Sequence, residues 1–166
     1  MASTSPTARG RFAGGDPAYL RDVQYRDPSR LTVRATLHQR YGTAPEPWFP
    51  WVVSQVGWPS SGDVLEVGCG PGWLWVEAHD AVPAELRLTL TDLSLGMVTT
   101  ARERVLASST VHLVAAGSAN VQALPFTDAA FDVAIANHML YHAPDPAVAV
   151  RELARVLRPG GVLVSA

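Results

Sequence analysis

Val64-Leu65-Glu66-Val67-Gly68-Cys69-Gly70-Pro71-Gly72 reads as a short buried strand that breaks into three alternating glycines and then enters a helix. Glycine carries no Cβ, so the chain can turn sharply there and a ligand can approach the main chain closely. The helix that follows offers unpaired N–H groups and the positive end of its dipole. Together these features make a candidate nucleotide cradle. A Gly-x-Gly-x-Gly string is weak on its own, and the residues beyond it decide its meaning.

Beyond the cradle the chain alternates between two periods. Strands are expected at 63–67, 86–91, 110–115, 131–136 and 162–165. Helices are expected at 72–81 and 94–106, and a third opens at Asp145-Pro146 and runs through Val150, Leu153, Val156 and Leu157 to the stop at Pro159-Gly160-Gly161. Such alternation predicts an α/β fold, a Rossmann-like three-layer sandwich with a mainly parallel sheet and helices on both faces. In sheets of this kind ligands bind beyond the carboxyl ends of the strands. The second strand ends in Asp92, twenty residues after Gly72, where a carboxylate can accept from both hydroxyls of a ribose.

Composition narrows the field. The chain has 166 residues, 48% hydrophobic and 17% charged, enough for one domain with a sizeable core. A formal net charge of -2 without runs of like charge points away from nucleic acid and anionic membranes as partners. The single cysteine, Cys69, excludes an internal disulfide and fits a reducing compartment, and the first twenty residues contain no signal-like apolar core. A cytoplasmic location is the expectation.

The front of the chain, residues 1–61, reads as a mobile tail to about Pro17 followed by a helical cap. Asp27-Pro28 opens a helix through Leu31, Ala35, His38 and Tyr41 that stops at Gly42, and a second covers 48–56. Residues 62–166 form the ligand-binding domain.

The glycine motif with its preceding acid, Asp92, the 117–126 stretch, and Phe131-Asp132-Val133 through Pro159-Gly160-Gly161 resemble class I S-adenosylmethionine-dependent methyltransferases, in the branch acting on small molecules. A dinucleotide site would more typically show Gly-x-Gly-x-x-Gly; here the third glycine comes one residue early. The resemblance implies S-adenosylmethionine as cofactor. It sets Glu66 near the methionine ammonium, lets the backbone at Gly68, Gly70 and Gly72 pass close to the methionine and ribose, and gives the ribose hydroxyls to Asp92. Leu93 and Met97 would contact the adenine, and Ala119 would supply a backbone N–H. The family pattern Gly-Asp-Ala is here Gly117-Ser118-Ala119, so Ser118 would meet the adenine amino group without charge. Asn137 and His138 would line the floor by the reactive methyl. Relatives continue with further strands six and seven, so the sequence is either a fragment or its sheet ends with strand five.

His138 and His142 are four residues apart. No third ligand and no His-Glu-x-x-His pattern accompanies them, so no metal is expected. Either can serve as a general base, or both simply line the pocket. Tyr25, Arg34 and Tyr41 either reach over the cofactor, with Arg34 suited to its carboxylate, or form a solvated face. Trp73, Trp75 and Cys69 read as packing residues, and His38, His79 and His112 as surface or packing residues. If the sheet ends there, the apolar run Val162-Leu163-Val164 is an edge open to a second copy, and the expectation is either a homodimer or poor stability of the isolated chain. The activity expected is methyl transfer to a small molecule. A non-catalytic binding module and an NAD(P)-binding enzyme are the alternatives.

Overall fold

The computed structural model describes residues 16–108 and 111–166, without the side chains of residues 38 and 39. The tail expected before Asp16, the start of the third strand at residue 110 and the His38 side chain lie outside the described residues.

The cap begins with a short helix, α1 (Pro17–Tyr19), that runs into a π-helical turn, Leu20–Gln24. Asp16 caps it by accepting from the N–H groups of Ala18 and Tyr19 at 3.0 and 3.1 Å. The sequence reading, with its first helix at Asp27-Pro28, named no helix here. Asp16-Pro17 bears the same cap-then-proline signature as Asp27-Pro28 and Asp145-Pro146, and it starts a helix for the same reason. The helices α2 (Ser29–Tyr41) and α3 (Trp48–Ser54) complete the cap.

The main domain follows as β1 (Gly62–Val67), α4 (Trp73–Glu77), β2 (Leu86–Asp92), α5 (Leu95–Ser108), β3 (His112–Ser118), β4 (Phe131–Ala136), α6 (Pro146–Val156) and β5 (Leu157–Ser165). All strands pair in parallel, in the order β3-β2-β1-β4-β5. Successive side chains on a strand point to opposite faces, and the core divides accordingly. Val64, Leu88, Leu90, Val133 and Ile135 pack with Leu74, Trp75, Ala101 and Val105 from α4 and α5, and with Val52 and Val53 from α3. Leu65, Val67, Ala134 and Ala136 pack with Ala149, Leu153 and Val156 of α6. The three-layer arrangement expected from the sequence is the one observed.

Boundaries moved where strand pairing outweighed turn chemistry. β3 runs on to Ser118 because Asp92 of β2 pairs with it. β5 starts at Leu157, directly after α6, and absorbs Pro159-Gly160-Gly161 through a register shift opposite Phe131–Val133, with Gly160 at φ +82°. Among the described residues β5 pairs only with β4, which leaves its outer edge unpaired.

The order reverses at β1, which sends one crossover to β2 and has β4 on its other side. A crevice therefore opens at the carboxyl ends of β1, β2 and β4.

Candidate functional site

A cavity of about 220 Å³ fills that crevice, roofed by Leu20, Tyr25, Leu31 and Arg34 of the cap. Its floor is the glycine turn. Gly68 sits at φ +69° and Gly70 at φ +52°, conformations that side-chain-bearing residues adopt at a cost. The turn is pinned by Cys69 N–H donating to the Thr91 carbonyl at 2.9 Å.

Asp92 stands at the end of β2 with both carboxylate oxygens engaged. Oδ2 accepts from Gly70 N–H at 2.9 Å and Oδ1 from Ser94 N–H at 2.8 Å. Burial pushes its carboxyl up from the usual range while these N–H groups pull it back. Glu66 is more deeply buried, at 3% exposure, and its Oε2 accepts from the Trp75 indole N–H at 2.6 Å. Burial, opposed by Trp75 and assisted by the charge on Asp92, pushes its pKa up to about 8. Trp75, read from sequence as packing, is thus also the group that holds this acid.

At the end of β4, Asn137 is buried and its Oδ1 has no hydrogen-bond partner, an uncommon and costly state for a buried acceptor. His138 follows in the left-handed region at φ +53° and stacks on Trp48, ring centroids 4.8 Å apart. Its N–H donates to the Ala166 carbonyl at 2.8 Å. Tyr25 Oη and His142 Nε2 lie 2.8 Å apart, and Arg34 Nη1 donates to the same Tyr25 oxygen at 3.3 Å. Burial and the Arg34 charge hold the His142 pKa down to about 4. Burial likewise raises Tyr25 and, far above its ordinary value, the Cys69 thiol.

Of the residues singled out from sequence, Glu66, Gly68, Gly70, Asp92, Leu93, Met97, Ala119, Asn137, His138 and His142 all line this cavity. Two do not. Gly72 faces α5, where an added Cβ would come within 3.1 Å of the Ala101 Cα, so it serves helix packing. Ser118 lies outside the cavity lining, its hydroxyl donating to the Leu93 carbonyl at 3.0 Å. Arg34 lines the cavity too, bonded to Tyr25, and Tyr41 is exposed. Among the described residues no three His, Cys, Asp or Glu side chains gather as a metal site. Sequence reasoning missed the Tyr25–His142 pair and the Trp48–His138 stack; neither has a local signal, because each joins the cap to the loop after β4.

Comparison with known proteins shows the family of the chain. The family described as Methyltransferase domain matches residues 65–165. The chain is 36% identical over 112 residues to malonyl-(acyl-carrier protein) O-methyltransferase of Hahella chejuensis, covering 68% of this chain and 38% of that protein. It is 35% identical over 100 residues to demethylmenaquinone methyltransferase of Staphylococcus haemolyticus, covering 60% of this chain and 41% of that one. The chain thus spans well under half the length of these relatives. Among solved structures, an S-adenosylmethionine-dependent methyltransferase from Mesorhizobium loti superposes with a TM-score of 0.57 at 25% identity, over 70% of this chain and 50% of that one.

Proposed function

As the chain belongs to the class I S-adenosylmethionine-dependent methyltransferases, we propose that it moves a methyl group from this cofactor to a small-molecule acceptor by in-line displacement. One observation carries the reading: Asp92, the Gly68–Gly70 turn and the partnerless Asn137 Oδ1 converge on one cavity at the switch in strand order. The residues present fit the cofactor. The buried acceptor on Asn137 calls for a donor, which the methionine ammonium supplies. Asp92, already oriented by two N–H groups, keeps further lone pairs for ribose hydroxyls. Glu66 supplies a second carboxyl by the same cavity.

Bound S-adenosylmethionine supplies an activated sulfonium methyl, so the protein's share is to position the acceptor and exclude water. Leu20, Leu31, Phe49 and Met139 provide the apolar walls for that. The names of the relatives span a malonyl acceptor and demethylmenaquinone, so the acceptor follows from this chain's own residues rather than from likeness.

Calorimetry with S-adenosylmethionine, its demethylated product and NAD tests the reading: binding of NAD alone overturns it. Asp92→Ala is expected to weaken cofactor binding by about 1–3 kcal/mol, the loss for charge-assisted hydrogen bonds. An unchanged affinity would place the ribose elsewhere.

No helix among the described residues is long and apolar enough to cross a membrane. The reading includes a cytoplasmic setting, in keeping with the lone cysteine, and pairing of two copies through the open β5 edge. Size-exclusion chromatography with light scattering is expected to give a dimer mass; a stable monomer removes that part.

A further inference from the structure

Tyr25 and His142 stand 117 positions apart in the chain, yet their side chains meet at 2.8 Å inside the cavity. The phenol oxygen has one hydrogen to give and two lone pairs to accept with. Arg34 Nη1 takes one lone pair at 3.3 Å. In the His142 tautomer that carries its proton on Nδ1, Nε2 accepts the phenol hydrogen. One lone pair of Tyr25 remains for a ligand, on a side chain that lines the cavity. Leu20, Phe49, Met139 and Pro144 are among the apolar walls of the same cavity, and Tyr141 stands edge-on to the His142 ring at 4.3 Å.

Resting on the methyl-transfer reading, we propose that Tyr25 and His142 form a relay that takes the proton of an acceptor hydroxyl carried on an apolar, aromatic body. In this scheme the acceptor O–H donates to Tyr25 Oη, and the Tyr25 hydrogen points at His142 Nε2. As the acceptor oxygen's electron pair forms the bond to the methyl carbon, the carbon–sulfur bond breaks and its pair stays on sulfur. The acceptor's proton passes to Tyr25 Oη and the Tyr25 proton to His142, which later yields it to water.

The chemistry of the pair selects the acceptor. Burial and Arg34 keep His142 neutral down to about pH 4, so it is always ready to accept but is a weak base. A hydroxyl oxygen gaining a methyl group becomes an oxonium, whose proton is far more acidic than imidazolium. A weak base therefore suffices. An amine gaining a methyl becomes an ammonium, which keeps its proton against such a base. A carboxylate brings no proton at all. Besides Tyr25 and Arg34, the ionisable groups bearing on the pair are Tyr141, beside His142, and Asp92, whose charge acts on Tyr25. Asp92 is engaged at the end of β2 by the N–H groups of Gly70 and Ser94. Tyr25 would touch the acceptor, and His142 acts through it as a positioning group.

The test uses binding first. With S-adenosylhomocysteine present, 2-naphthol is expected to bind about tenfold more tightly than 2-methoxynaphthalene or 2-naphthoate. Tyr25→Phe and His142→Leu should each reduce that preference to about twofold, with far-UV circular dichroism checking that both variants are folded. A wild type that binds S-adenosylhomocysteine but prefers the ether or the carboxylate overturns the relay and leaves the methyl-transfer reading standing. A wild type that binds no S-adenosylhomocysteine overturns the reading itself. Turnover gives the second arm. Tyr25→Phe should lose on the order of 100-fold in methylation of 2-naphthol, within the usual yield of general base catalysis. It should lose little with 4-nitrophenol, which is already ionised near neutral pH. Equal losses with both phenols overturn the relay.

Discussion

Gly68→Ala is expected to lower stability by about 2–5 kcal/mol and to abolish measurable cofactor binding. Two costs combine. The position is left-handed, at φ +69°, which costs a residue with a Cβ about 1–2 kcal/mol. The new methyl would also lie 2.7 Å from the Met139 Cβ and 2.8 Å from its Cγ. The first of these atoms is bonded to the backbone, so no rotamer change relieves the contact, and overpacking of this kind typically costs about 1–3 kcal/mol. Relief requires the Met139 main chain to move. That segment carries Asn137, His138 and His142, all on the cavity wall, so the damage reaches the site as well as the fold. Gly117→Ala is the control: its φ is ordinary and nothing lies within 4 Å of the added carbon. Denaturant melts should leave it within about 0.5 kcal/mol of the parent, as for a surface change away from special features. If Gly68→Ala melts and binds like the control, the close approach of the loop after β4 to the cradle is not what shapes the site.

The contrast between these two glycines also marks how far the sequence can be read. The alternation of apolar runs located all the strands, and β4 fell at the same residues, 131–136, its far end marked by the change to Asn137. Ends set by partners were harder. β3 extends to Ser118 because β2 is there to pair with it, and β5 tolerates Gly160-Gly161 because a register shift absorbs them. The floor of the site was legible since glycines, an acid before them and Asp92 are local signals at fixed spacing. The roof was not. Tyr25, Arg34 and His142 meet only after the cap folds over the crevice, and no periodicity encodes a contact across 117 positions. Ser118 is a different case: its place in the motif implied a ligand contact, and its hydroxyl donates to the Leu93 carbonyl, a bond the motif does not announce. Trp75 lay between these cases, packing as expected but also holding Glu66.

Glu66 should make the protein less stable as pH rises from about 5 to 8, and Glu66→Gln should remove most of that slope. In the unfolded chain this carboxyl ionises near its ordinary value of 4.5, whereas in the folded protein burial, the first cause, and the Asp92 charge raise it to about 8 despite the Trp75 hydrogen bond. Between those values the folded state holds a proton that the unfolded state has released, so raising the pH favours unfolding. The stabilisation is fully present below pH 4.5 and lost as pH climbs through 8, a swing on the order of 3–5 kcal/mol. Asp92, also raised by burial, adds in the same direction. Denaturant melts from pH 5 to 9 on both proteins measure it; parallel curves would mean that Glu66 is already ionised in the folded state. The same proton should then appear in ligand binding. A cofactor ammonium beside Glu66 favours the carboxylate, so binding at pH 7 should expel up to about one proton, read by calorimetry in buffers of different ionisation enthalpy. The affinity should rise with pH toward 8, opposite in sign to the stability, because the charge that weakens the empty protein is the one the ligand requires. Glu66→Gln should abolish the proton release even where some affinity survives, which separates the loss of this charge from simple damage to the cavity.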